Sequence, residues 1–312
     1  MMLHLSRGSG VKSRLLEGRI AESGRPVAAG NTMKVVRFTK AFSRAGWVYE
    51  SLTWPLRSHF YRRALRRSPP PDQSIGVTTY KDRFDSCLKP LIKKLSILFP
   101  NEQIIIVANG HYLTNEQKEF IKKFDAFCAG FSNVEVESYT DPQGLSFLWN
   151  RLIKRAASDN ILMLNDDIMI KYGFRRFIEE SGIVSAPMAT INSSWSHFKI
   201  SKSVIEKVGL FDEGLKEIGG EDDDYLARMA MSGLQAKDLA TGMLASRSKR
   251  RIKAPRLNSY GRDMSGEAGG YSTLNTEYLL GKWETSDTWF EGAVEVPGRK
   301  ARYWKPRILS EN

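Results

Sequence analysis

The chain is short of cysteine and histidine and has no long apolar run. Cys87 and Cys128 are too few for a disulfide framework or a zinc-ligand cluster, so a reducing compartment is the simpler expectation. No segment approaches the roughly 18 apolar residues of a membrane span. The N-terminus is positively charged but lacks the apolar stretch of a secretory signal. With 312 residues, 41% of them hydrophobic, and a mean hydropathy of -0.37, the composition describes a soluble globular protein. Collagen-like, wholly disordered and polytopic membrane classes are excluded. The length fits one large α/β domain with appendages or two small domains.

The net charge of +12 is unevenly placed. Residues 1–70 hold 14 Lys and Arg against the acids Glu17, Glu22 and Glu50, and the rest of the chain balances 33 basic with 32 acidic residues. The basicity therefore belongs to an N-terminal arm, residues 1–72. Residues 1–32 show no periodicity and read as a flexible leader ahead of a second methionine, Met33. From Met33, Val35, Phe38, Phe42, Ala45 and Tyr49 recur at helical steps, with Lys34, Arg37, Lys40 and Arg44 opposite. Trp47, Trp54, Phe60 and Tyr61 follow among Arg57, Arg62, Arg63, Arg66 and Arg67, until Pro69-Pro70-Pro71 stops the helix. Over residues 33–68 such a helix can lie on an anionic membrane surface, dock on its own domain, or contact nucleic acid.

From Ser74 short apolar runs alternate with helical patterns. Strands are expected at Ser74–Thr79, Gln103–Val107, Val134–Ser138 and Asn160–Leu164. Helices are expected at Phe84–Leu98, from a capping box at Thr114 to about Phe127, and at Gly144–Ala157. This order implies an α/β fold: a mixed, mostly parallel sheet flanked by helices, with ligands beyond the carboxyl ends of the strands. The turn after the first strand, Thr79-Tyr80-Lys81-Asp82, lacks the glycine-rich, lysine-containing phosphate loop of a nucleotidyltransferase.

Two acidic segments carry the chemistry. Asn165-Asp166-Asp167 ends an apolar strand, and adjacent carboxylates there repel unless a cation or water separates them. They are either the seat of a hard divalent ion, Mg2+ or Mn2+, or a turn of solvated acids. Gly219-Gly220-Glu221-Asp222-Asp223-Asp224 opens a helix, where carboxylates complement the helix dipole. Consecutive helical residues point in different directions, so Glu221 and Asp222 are the pair expected to face a cleft. Asp223 and Asp224 are expected to cap the helix or partner Arg228.

The ordered set Ile75–Tyr80 with Arg83, Val107-Ala108-Asn109-Gly110, Gly144 with Asn150, Asn165-Asp166-Asp167, Gly209–Glu213 and Gly220-Glu221-Asp222 resembles a family. It is similar to nucleotide-diphospho-sugar glycosyltransferases of the GT-A fold, of the family-two kind, with a galactosyltransferase-type C-terminal GGEDDD motif. The likeness covers residues 73–285, with Lys282-Trp283 as a trailing element, and leaves 286–312 as a tail. It implies that Thr78, Tyr80, Arg83, Asn109, Asn165 and Asp166 border the nucleotide-sugar donor, and that Asp167 holds a divalent metal. It further implies that Asp222 is the general base, with Glu221 beside it in the catalytic pair and also binding the acceptor, and that Trp195 stacks on the acceptor.

The implied reaction is inverting transfer, from a UDP-sugar by default, to a glycan or lipid-linked hydroxyl. The implied location is cytoplasmic, peripheral on the inner membrane face. The sequence departs from the pattern in having Asn165 as the first residue of the acidic motif and Ala108 after the second strand. No histidine follows Asp224 to complete a metal site. The run Arg247–Lys253 is read either as a loop closing over the diphosphate or as a solvated basic face. The competing classes are a catalytically silent relative and a nucleic-acid-binding protein, and the second leaves the acids without a purpose.

Overall fold

The computed structural model describes residues 48–49, 52–61, 63–65, 72–246, 272–296 and 302–308. The leader over 1–32, the basic helix expected from Met33 and the Arg247–Lys253 run lie outside these residues. Among the described residues no helix is long and apolar enough to cross a membrane.

Seven strands form the central sheet in the order β3-β2-β1-β4-β7-β6-β8. They are β1 (Ser74–Thr79), β2 (Ile104–Ala108), β3 (Val134–Ser138), β4 (Asn160–Asn165), β6 (Met188–Ile191), β7 (Ser194–Ser201) and β8 (Lys237–Leu239). β3, β2, β1 and β4 run parallel; direction reverses at β4–β7 and again at β7–β6, and β8 lies parallel to β6. β1 and β2 are buried along their whole length, and β2, Ile-Ile-Ile-Val-Ala, is accordingly apolar throughout.

Helices cover both faces. On one, Ile75, Val77, Ile106, Leu162 and Leu164 meet α2 (Lys89–Leu98), α3 (Thr114–Cys128) and α5 (Phe174–Glu180). On the other, Ile105, Val107, Ile161, Met163 and Phe198 meet α4 (Leu145–Arg155), α6 (Lys202–Val208) and α7 (Glu221–Met231). The expected mixed, mostly parallel α/β fold is the observed one. A short antiparallel pair joins β5 (Ile168–Ile170) to β9 (Leu244–Ser246).

The helical start expected at Phe84 is a tight turn at Lys81–Arg83 and a wide one at Phe84–Leu88, which lead into α2. The capping box at Thr114 does not form: Leu113 caps α3 with its backbone only. The physical reason is Gln117, whose side chain is buried and donates to the carbonyls of Asn109 (3.0 Å) and Tyr139 (2.8 Å) instead of reaching back along the helix.

The helix over residues 52–61 and 63–65, here α1, packs on the sheet domain through Trp54 and Tyr61. After α8 (Thr273–Lys282), strands β10 (Trp283–Ser286), β11 (Val294–Glu295) and β12 (Tyr303–Pro306) make a small antiparallel sheet. A buried ionic clasp ties it to α7. Asp224 accepts from Arg228 Nε (2.9 Å) and from Trp283 Nε1 (2.9 Å), and Lys282 Nζ lies 2.7 Å from Asp224 and 2.5 Å from Asp212. Asp224 is thus the expected partner of Arg228.

Removing Asp224 leaves Lys282 with Asp212 but strips Arg228 Nε and the buried Trp283 N–H of their acceptor, which costs about 1–3 kcal/mol. Asp224→Ala should lose that much in urea denaturation, and a loss under about 1 kcal/mol would show that the clasp holds nothing.

Candidate active site

Two groups of polar residues adjoin at the carboxyl end of β4. The first centres on Asp166, which is almost fully buried. It accepts from Thr79 Oγ1 at 2.7 Å and from Arg83 at 3.1 Å, and the same guanidinium lies 3.8 Å from Asp167. Arg83 also sits over the Tyr80 ring, 5.1 Å from its centre. Burial pushes the Asp166 carboxyl up to about 6, against the pull of Arg83 and Thr79. The cation that separates the two acids here is therefore an arginine supplied by the loop after β1. The hydroxyl that meets the acid is that of Thr79 and not of Thr78, the neighbour expected at the donor. Strand alternation sends the two side chains to opposite faces, so one of the two had to face the acids.

The second group lines a cleft of about 600 Å³ between β4, the β6–β7 turn and the start of α7. Asn165, Trp195, Glu221 and Asp222 share it with Trp149, Thr190, Ser193 and Asp238. Trp195 is half-buried; its ring centre lies 4.9 Å from that of Phe198, and it still contributes to the cleft wall. Gly219 and Gly220 hold φ values of 110 and 90, the left-handed region open to glycine, and this turn delivers the acids at the helix start.

Both carboxylate oxygens of Glu221 accept from the Gly219 amide at 2.9 Å. Burial pushes Glu221 up to about 8, with the neighbouring charge of Asp222 adding to the rise. Asp222 lies on the cleft, half-buried. A largely protonated Glu221 beside Asp222 gives this wall one neutral donor and one carboxylate near neutral pH.

Not every expected residue meets these groups. Asn109 is buried and uses both ends of its amide on Gln143, donating to the carbonyl at 3.0 Å and accepting from the backbone N–H at 2.8 Å. It fastens one loop to another and does not line the cleft. Thr78, Tyr80, Arg83, Asp166 and Asp167 also lie outside the cleft lining, around the first group.

The structure adds Asp238, a lone acid in a short strand with no motif around it. It accepts from Thr190 Oγ1 (2.8 Å), Ser193 N (2.7 Å) and Ser193 Oγ (2.6 Å). It braces the β6–β7 turn, where Asn192 and Ser193 take φ values of 55 and 52.

Among the described residues no three His, Cys, Asp or Glu side chains gather as a metal cage. Asp166 is engaged by Thr79 and Arg83, and Asp167 has only the longer, 3.8 Å approach of the same guanidinium, so Asp167 is the carboxylate of the two better placed to exchange that contact for a metal ion. That donor set suits Mg2+ or Mn2+, which are commonly held by one or two carboxylates and completed by substrate phosphates and water.

Glu221 sets a pH dependence. The folded state keeps its proton up to about 8, whereas the ordinary value is 4.5. Between these limits the unfolded chain carries fewer protons, so this group makes stability fall as pH rises. Glu221→Gln should remove that slope, gaining on the wild type from pH 5 to pH 8 in denaturant titrations. Parallel curves would contradict the buried, protonated state.

No protein-family model and no curated protein matches this sequence. Among solved structures, the mannosyltransferase PcManGT from Pyrobaculum calidifontis, in complex with GDP-Man and Mn2+, is similar over 67% of this chain and 69% of its own, at 12% identity and a TM-score of 0.43.

Proposed function

We propose that the protein is a glycosyltransferase that moves a sugar from a nucleotide-diphosphate donor, a UDP-sugar by default, to a hydroxyl of a glycan or lipid-linked acceptor with inversion. The observation that carries this reading is the adjacency at β4. The Thr79, Arg83, Asp166 and Asp167 group abuts a cleft whose far wall presents Glu221, Asp222 and Trp195.

In this reading residues 73–285 are the transferase domain, with 286–312 as its tail. Thr78, Tyr80, Arg83, Asn165 and Asp166 border the donor, and Asn109 acts by fixing the loop beneath it. Asp167 would hold Mg2+ or Mn2+, which when bound supplies positive charge to offset the departing diphosphate. Arg83, beside the same two acids, would add to that positive charge. Trp195 stacks on the acceptor sugar and Glu221 donates to an acceptor oxygen. Asp222 accepts the proton of the acceptor hydroxyl as its oxygen attacks the anomeric carbon. The bond from that carbon to the diphosphate oxygen breaks, and its electron pair leaves on the nucleotide diphosphate.

The enzyme would work on the cytoplasmic side, peripherally bound through residues 33–68 to an anionic membrane surface. Both cysteines are free and buried, in keeping with a reducing compartment.

A thermal-shift screen against UDP-, GDP-, dTDP- and CMP-sugars, with and without Mn2+, tests the reading. One nucleotide class should stabilise the protein, more strongly with metal; no shift from any donor sinks the proposal. Asp222→Asn should leave that shift intact while lowering transfer by roughly 10²–10⁴-fold. Asp167→Ala should abolish the extra shift due to Mn2+, and an unchanged metal titration would remove Asp167 from the site.

A further inference from the structure

Helix α1 has two apolar faces, and only one of them is covered. On the inner side Trp54 and Tyr61 flank Tyr172, with ring centres 4.4 and 5.0 Å from it. Tyr172 Oη donates to the Trp54 carbonyl at 2.7 Å, and Lys94 Nζ lies 4.4 Å from the centre of the Trp54 ring. On the outer side Val48, Leu52, Leu56 and Phe60 are 59%, 74%, 74% and 73% exposed. They are spaced four residues apart, so Leu52, Leu56 and Phe60 form a ridge along one side of the helix.

The surrounding charge selects what covers that ridge. From Val48 to Pro71 the sequence has Arg57, Arg62, Arg63, Arg66 and Arg67 against a single acid, Glu50. A second copy of the same helix would bring like charges together. An anionic bilayer offers acyl chains for the ridge and phosphates for the arginines. Of the two surfaces open to this helix, its own domain takes the Trp54 and Tyr61 rings, while Phe60 faces outward.

We infer that α1 is a rigid docking ridge for an anionic lipid surface, with Leu52, Leu56 and Phe60 entering the bilayer while Trp54 and Tyr61 fasten the helix to the catalytic domain. This deepens the peripheral-membrane part of the proposed function. A ridge bolted to the domain fixes the orientation of the cleft relative to the membrane, which a flexible tether would not do.

The test uses the full chain in sedimentation with vesicles of phosphatidylcholine alone or mixed with phosphatidylglycerol. The wild type should bind the mixed vesicles and lose binding as salt rises. Leu52→Glu, Leu56→Glu and Phe60→Glu combined should weaken binding by on the order of a hundredfold. Because the three side chains are exposed, the melting temperature and the nucleotide-sugar shift should stay as in the wild type. That separates failure of the ridge from failure of the transferase reading. Phe60→Trp adds an independent readout, since its emission should move to the blue on mixed vesicles only. A triple variant that binds like the wild type, or a Phe60→Trp emission unmoved by vesicles, overturns the inference. So does a lipid-independent dimer that the triple variant dissolves, which would identify the partner as a second copy.

Discussion

The ion pair between Arg83 and Asp166 governs the arrangement around it. A carboxylate this deeply buried is costly without a partner, and the pair joins the loop after β1 to the end of β4. Since β1 and β4 are parallel neighbours, with Thr78 opposite Asn165, both loops leave the sheet at the same level. The guanidinium can then reach both acids from one position, and the Thr79 hydroxyl takes another lone pair of Asp166. Asn165 turns toward the cleft while Asp166 turns toward Arg83, so three consecutive residues serve two different surroundings.

The acids of α7 show how neighbours of one kind come to differ. Asp224 is locked between Arg228, Lys282 and Trp283 and ties the helix to the C-terminal sheet. Glu221 folds back on the Gly219 amide and keeps a proton. Asp222 remains on the cleft wall. The separation follows from the helix turning about 100° per residue, which sends consecutive side chains to different media. The clasp at Asp224 also bears on Asp222, because it fixes the helix whose first turn carries that carboxylate.

Much of the parallel half was legible in the sequence for a simple reason. β1, β2 and β4 are apolar runs closed by polar residues, and their boundaries shift by only a residue or so in the structure. The later strands were not legible: β8 is three residues long with a charged centre, and β12 places Lys305 and Pro306 in a strand. The acids of the site could be found individually, but their partners could not. Arg83 and Asp166 are 83 positions apart, and nothing in the spacing of either announces the other. The resemblance sets Asn109 beside the donor, and its place just after β2 is legible, but the bond of its amide to Gln143 is not. Asp238 is a lone acid whose meaning depends on a turn brought beside it from 45 residues away. The arm illustrates the same limit, because periodicity identifies apolar positions but does not say which of them the rest of the chain will occupy.

The reversal of strand direction at β4 and β7 bears on how such a chain can diverge. One part of the cleft wall is Asn165 at the end of β4, a strand held in register by β1 and β7, together with α4 and the start of α7, which pack on the sheet. Another part depends on a two-residue hairpin tip and on β8, which ends the sheet among the described residues. Insertions at that tip, or replacement of the edge strand, would reshape that part of the wall while leaving the spacing of β1, β2 and β4 untouched. The cleft is built so that its rim at the sheet edge can be remodelled by changes at the periphery, and its part at β4, α4 and α7 only by rebuilding the core.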